Sequence, residues 1–320
     1  MEAIHLVIDK RPLTCWDWEL KRKNIEFLEG IDSYYFLYVA EQNLPNIGTD
    51  NKHRAAISLR LAYSHGLETL FALLCSAIQA PQCSIGWLLN YKNYELTNIV
   101  KKISSGHFVY TRFKDQNLNW KKIAKFIHYN LAHKDEKKNI IIEGYGDVWT
   151  WMASEFTDEN FALEYNGIKH GLRINPGGFE VAIGREETVG VAPPFEKMVN
   201  LGGSDFGSSY FVKEYIKDTP KINFRPRRHA RNWNPTNLAD RLALISMSIN
   251  NVVSWLKIIN GVSPKQCEFT NPATLDHFQE PWKKCVGLSH STFDLSIEKE
   301  HIRSFDKKDI LASYENKSIP

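Results

Sequence analysis

Glu164-Tyr165-Asn166-Gly167-Ile168-Lys169-His170-Gly171 is the stretch at which the chain changes its apolar period. Before it, apolar residues recur at steps of three and four. After it, they alternate. Phe161, Tyr165 and Ile168 continue a helical face into the stretch. Gly171 stands where a helix stops, because glycine enters the left-handed cap conformation without a side-chain clash. Thr157-Asp158-Glu159 supplies the matching start, with a hydroxyl at the cap for free amides and acids for the positive end of the dipole. A helix from about 157 to 170 is therefore predicted, followed by strands.

Working backwards, the helical period persists. Leu59, Tyr63, Leu67, Leu70, Leu74 and Ile78 predict one long helix over 51–80, stopped by Pro81. One or two helices are expected over 83–105. An amphipathic run over 120–131 turns Ile123, Phe126 and Ile127 inward. A helix over 135–156 is expected despite Gly144 and Gly146. The N-terminal part reads as a short apolar patch, Ile4 to Ile8, then Trp16 and Trp18, then helix from Asp17 to about Gln42.

Working forwards, Leu172 and Ile174, then Phe179, Val181 and Ile183, alternate around Asn175-Pro176-Gly177-Gly178, a hairpin signal. Two more strands are expected over 208–216 and 221–225. Asn234-Pro235 is a cap followed by proline at the first helical position. Leu238, Leu242, Ile245, Ile249, Val252, Leu256 and Ile259 then form the clearest stripe in the chain, ended by Gly261. The expected fold is mainly α, a bundle of about six to eight helices with a small antiparallel β-sheet inserted at about 172–226. Residues 1–260 are read as one helical domain. Residues 261–320 are read as an irregular C-terminal extension.

The 320 residues are 43% hydrophobic and carry a formal net charge of +3, ordinary for a soluble globular chain. So small a charge neither demands nor excludes nucleic acid, so a binding surface must come from local clustering. Cys15, Cys75, Cys83, Cys267 and Cys285 are odd in number, widely spaced and without a CxxC, which fits reduced thiols rather than a disulfide framework. No basic region followed by an apolar run opens the chain, and the apolar stretches read as too interrupted to span a bilayer. A cytoplasmic location with no membrane partner is expected.

Polar chemistry concentrates at the end of the helix over 157–170. Asn166 and His170 are four apart and share a face, with Lys169 beside them. The stretch resembles the signature of the HEPN-like helical superfamily, in which an Arg, usually followed by a polar residue such as Asn, precedes a His by four to six positions. Asn166 and His170 match the Asn-x-x-x-His part, and Tyr165 stands in the place of the Arg. The resemblance implies a helical bundle that dimerises, and RNA or a nucleotide as partner. It also implies a metal-independent ribonuclease site without cofactor, in proteins of defence against phage or toxins. Histidine titrates near neutrality, as a base for a 2′-hydroxyl must. A phenol cannot neutralise phosphate as a guanidinium does, so Lys169 is the candidate cation.

A second Arg–His spacing, Arg60 to His65, is five residues long and places the two side chains apart in angle on an intact helix. His65 and Glu68 do share a face. Glu68 lies in an otherwise apolar run, so its carboxylate needs a partner: His65, or His170 or Lys169 from the other helix. The densest basic cluster is Arg225, Arg227, Arg228, His229 and Arg231, with Trp233. Guanidiniums and an indole suit phosphate contact and base stacking, and the same arginines suit pairing with acids. His128 and His133 are five apart and do not face one another, so no metal site is expected. The alternative to an RNA-directed function is a non-catalytic scaffold or dimerisation module whose stripe at 238–259 meets a partner.

Overall fold

Helix dominates because the apolar period is helical over most of the length. The computed structural model describes residues 1–107, 109, 111, 117–131, 135–220, 222–283, 288–293, 297, 299–303 and 305–315. His133 and Cys285 lie outside the described residues. The helices are α1 Leu20–Glu29, α2 Tyr35–Asn43, α3 Lys52–Gln79, α4 Ser84–Leu88, α5 Asn93–Ser104, α6 Trp120–Ile127, α7 Asp135–Phe156, α8 Glu159–Lys169, α9 Pro235–Ile259, α10 Glu280–Lys283 and α11 Lys307–Glu315. The strands are β1 Glu2–Ile8, β2 Arg11–Asp17, β3 Ile174–Pro176, β4 Glu180–Ile183, β5 Val199–Gly203, β6 Gly207–Tyr215, β7 Phe224–Asn232 and β8 His290–Phe293.

Helices α3 and α9 pack on each other, and α2 lies against both. Leu59, Tyr63, Leu67, Leu70 and Leu74 of α3 are fully buried, as are Leu242, Ile245, Ile249, Val252 and Leu256 of α9. The α9 stripe is thus consumed by the chain's own core, and only Ile259 at its end is exposed. Contrary to the sequence expectation, α3 and α9 are long and apolar enough to cross a membrane by length and composition. In this fold 78% and 67% of their most apolar windows are buried inside the protein.

Side-chain caps fix the starts of α8 and α9, at α8 from a different residue than expected. The Asp158 side chain, rather than Thr157, accepts from Phe161 N at the start of α8, and Asn234 accepts from Thr236 N and Asn237 N at the start of α9. Gly171 and Gly261 follow the two helices with φ of +96° and +97°. Helix α7 runs unbroken through both glycines because they are packing positions. A Cβ at Gly146 would lie 2.9 Å from the Lys121 backbone, and one at Gly144 would lie 2.6 Å from the Phe278 ring.

The β-structure differs from the single inserted sheet expected. There are three antiparallel sheets among the described residues: β1-β2, β3-β6-β7-β8 and β4-β5. The N-terminal pair is a hairpin where an apolar patch leading to helix was expected. Its turn uses Asp9 at φ 53°, and Arg11 Nε anchors it to Glu95 of α5 at 2.8 Å. The following helical run divides into α1 and α2 after Gly30.

Asn175-Pro176-Gly177-Gly178 does not close a hairpin. Strand β3 pairs with β6, and β4 pairs with β5. The Asn232 side chain accepts from Phe179 N and donates to Phe179 O, holding the chain as it leaves one sheet for the other. Gly178 passes so close to Ser204 that a Cβ would lie 1.8 Å from its carbonyl oxygen. The sheet also extends past residue 226, because β7 continues to Asn232 and β8 arrives from beyond α9. The segment after residue 260, expected to be irregular, carries α10, β8 and α11 and is tied to the body: the Thr270 carbonyl accepts from Tyr145 and Asn251, and Phe278 is buried.

Candidate functional site

Around α8, helical geometry decides what meets what. Phe161, Glu164 and Ile168 form its buried face. At 100° per residue, Tyr165 and Lys169 flank that face, whereas Asn166 and His170 lie about half a turn away from it. Tyr165 and Lys169 therefore turn toward α3, and Asn166 and His170 are exposed to solvent. The His170 backbone amide bonds Asn166 O, but neither side chain has a hydrogen-bond or ion-pair partner among the described residues.

An open cleft of about 550 Å³ lies between α3 and α8, lined by His65, Glu68, Tyr91, Tyr165, Lys169 and neighbours. Glu68 is its electrostatic centre. The Tyr165 hydroxyl donates to Glu68 Oε2 at 3.1 Å, and Lys169 Nζ lies 4.0 Å from the same oxygen and 5.3 Å from the Tyr165 ring centroid. His65, one helical turn before Glu68, is exposed at the rim, its ring edge-on to Phe36 with centroids 5.5 Å apart. Burial, then the nearby Glu68 charge, pushes the Tyr91 phenol up to about 12 and the Tyr165 phenol higher still. Both remain proton donors at neutral pH. The cleft thus unites four of the six expected catalytic residues, His65, Glu68, Tyr165 and Lys169, and leaves out Asn166 and His170. Among the described residues no group of three or more His, Cys, Asp or Glu is placed to hold a metal ion.

Behind the cleft, Glu164 anchors a buried polar centre that the sequence reading passed over. Arg60 donates to Glu164 Oε2 from Nη2 at 2.6 Å and from Nε at 3.1 Å. Ser208 Oγ and Trp233 Nε1 donate to Glu164 Oε1 at 2.5 and 3.0 Å, and Arg231 Nε lies 3.8 Å from Oε2. The Arg60 guanidinium sits 4.6 Å from the Phe161 ring centroid. Arg60 of the second Arg–His spacing is thus a structural cation, turned inward while His65 faces the cleft.

The basic cluster expected to hold nucleic acid is mostly strand β7, and its residues divide by face. Arg225 Nε and Arg227 Nη1 pair with Glu214 of β6 at 2.6 and 2.7 Å. The Arg225 hydrogen bond first, opposed by burial and joined by the Arg227 hydrogen bond, holds the Glu214 carboxyl below the usual range. Arg231 bonds Asp158 at 3.3 Å, and Trp233 is buried against Glu164. As folded, Trp233 has no open ring face for a base, a correction to its expected stacking role. Arg228 points to the opposite face and donates to Ser209 Oγ at 3.2 Å.

That opposite face holds residues the sequence reading missed. Cross-strand partners share a face of a sheet. Phe211 is paired with Arg228, Lys213 with Pro226 and Tyr215 with Phe224, so all six lie together. The available signal was the alternation of Phe211, Lys213 and Tyr215 in β6.

With this geometry in hand, comparison of the chain with family models, with curated proteins and with solved structures finds no match in any of the three.

Proposed function

We propose that the protein is a HEPN-like, RNA-directed protein whose reactive centre is the α3–α8 cleft, acting as a metal-independent endoribonuclease. The observation that carries this reading is an open cleft in which a phenol and an ammonium gather at the Glu68 carboxylate while the His65 imidazole lines the same opening. In this reading His65 accepts the proton of the 2′-hydroxyl as that oxygen bonds phosphorus, the P–O5′ bond breaks with the leaving oxygen protonated by water, and Lys169 faces the phosphate charge. Glu68 positions Lys169 and Tyr165. The role first assigned to His170 passes to His65, because only His65 lines the cleft.

The test is cleavage of single-stranded RNA in chelator. His65→Ala and Lys169→Ala are each expected to lower the rate at least about 100-fold with unchanged melting temperature, whereas His170→Ala stays within about twofold. Equal activity of His65→Ala and wild type would remove the centre from this cleft. Absence of cleavage by the wild type would leave the scaffold alternative, in which Tyr165, Glu68 and Lys169 only clasp α8 to α3.

A further inference from the structure

We infer that the outer face of the β6–β7 hairpin is a binding platform for a single-stranded polynucleotide, with Phe211, Tyr215 and Phe224 stacking bases and Lys213 and Arg228 meeting phosphates. The inference names the partner of the RNA-directed reading but stands on a different surface from the cleft.

The strands alternate sharply in this half of the hairpin. Phe211, Lys213, Tyr215, Phe224, Pro226 and Arg228 are exposed, and the residues between them are half-buried. Phe211 is 63% exposed, Phe224 54% and Tyr215 48%, unusually open for three large rings on one small surface. The strand positions of this face bear two cations and no Asp or Glu. The one carboxylate within strands β6 and β7, Glu214, lies on the other face, where it pairs with Arg225 and Arg227; Asp218 stands in the turn between them.

Lys213 Nζ is 4.6 Å from the Tyr215 ring centroid and 4.9 Å from that of Phe224. The ammonium thus rests between two rings, as a phosphate-binding cation between stacked bases would. Phe211 and Tyr215 are four residues apart, roughly 13 Å along the strand, which leaves room for successive splayed bases. Where the hairpin meets the body, the face runs into a notch of about 290 Å³ lined by Gly177, Gly178, Ser209 and Arg228. Rings interleaved with cations on a sheet are how single strands are read without a groove, whereas a duplex hides its base faces.

The test is fluorescence anisotropy with labelled twelve-nucleotide RNA and DNA single strands and the corresponding duplexes. Single strands are expected to bind more tightly than duplexes, with affinity falling as salt rises. Phe211→Ala, Tyr215→Ala and Phe224→Ala should each weaken binding about tenfold, and Lys213→Ala should lower the salt dependence. Because these side chains are exposed, the variants should keep the wild-type circular dichroism and melting curve. The RNA and DNA arms distinguish the two sources of the same chemistry. Unchanged affinity in the ring variants, equal binding of duplex, or no binding by the wild type would each overturn the proposal, the last leaving the face to a protein partner. Cleavage by the wild type is measured in parallel with ring-dependent binding. If binding depends on the rings while the wild type cleaves nothing, the cleft reading fails and the platform stands; if cleavage needs His65 but the rings do not affect binding, the platform alone fails.

Discussion

Glu164→Ala is expected to cost about 4 kcal/mol of stability, a fall in melting temperature of roughly 10 °C. Four donors converge on this carboxylate from α3, β6, β7 and the approach to α9. Removing it leaves the Arg60 guanidinium, only 4% exposed, as a buried cation without a counter-charge, and leaves the Ser208 hydroxyl and Trp233 indole N–H without their acceptor. Breaking one side of such a pair costs far more than the pair's net worth, because the desolvation of the survivor is no longer offset. The double variant Arg60→Met, Glu164→Leu should therefore recover most of the loss. A single Glu164→Ala variant that unfolds in urea within 1 kcal/mol of wild type would refute the assignment. Burial alone would raise the Glu164 pKa, but the charges of Arg60 and Arg231 and the hydrogen bonds overrule it, and the net direction is down. A depressed carboxylate stabilises above its unfolded pKa, and that contribution is lost as pH falls through the folded value. This centre should hold through mild acid and fail below the usual glutamate range.

His128 should fail earlier on acidification. Its ring is fully buried, stacked on Tyr145 with centroids 4.4 Å apart, and its two nitrogens are committed: Nδ1 donates to Ala124 O at 2.8 Å and Nε2 accepts from Asn251 Nδ2 at 3.0 Å. Burial, against the pull of the Ala124 carbonyl and with a small contribution from Lys138, lowers the pKa from its ordinary 6.5 to about 4. The unfolded chain then binds a proton that the folded chain refuses, so stability falls as pH drops from 6.5 towards 4. The loss across that window is roughly 3 kcal/mol, at about 1.4 kcal/mol per tenfold change in proton affinity. Urea unfolding at stepped pH measures it. His128→Gln, which keeps a donor for Ala124 and an acceptor for Asn251, should flatten that part of the curve whatever it does to absolute stability. A variant with the same slope as wild type would assign the acid sensitivity elsewhere.

What the sequence discloses is what local chemistry determines. Helices α3, α8 and α9 follow from the apolar period, and their ends from Asp158, Asn234, Gly171 and Gly261. The need of Glu68 for a polar partner is legible because apolar residues surround it. That Tyr165 supplies it is not, since this depends on which sector of α8 meets α3. The face holding Asn166 and His170 was read correctly as a face but not as the outer one. The buried set Phe161, Glu164 and Ile168 carries that information, and a glutamate in its midst conceals it. The Pro-Gly-Gly turn misleads because a turn signal says nothing about which strand the next segment joins. The arginines of β7 read as one cluster because their register against Glu214 is a long-range property.

One consequence of the sheet order concerns the newly made chain. Strand β8, which borders β7, contributes Thr292, sixty-five residues after the Arg227 it contacts. Until those residues leave the ribosome, β7 presents a bare row of amides and carbonyls, open to pairing with another nascent molecule. Assembly of this sheet must wait on the distal segment, so shortening the chain before residue 290 should yield dimers or aggregates rather than a smaller, well-behaved protein.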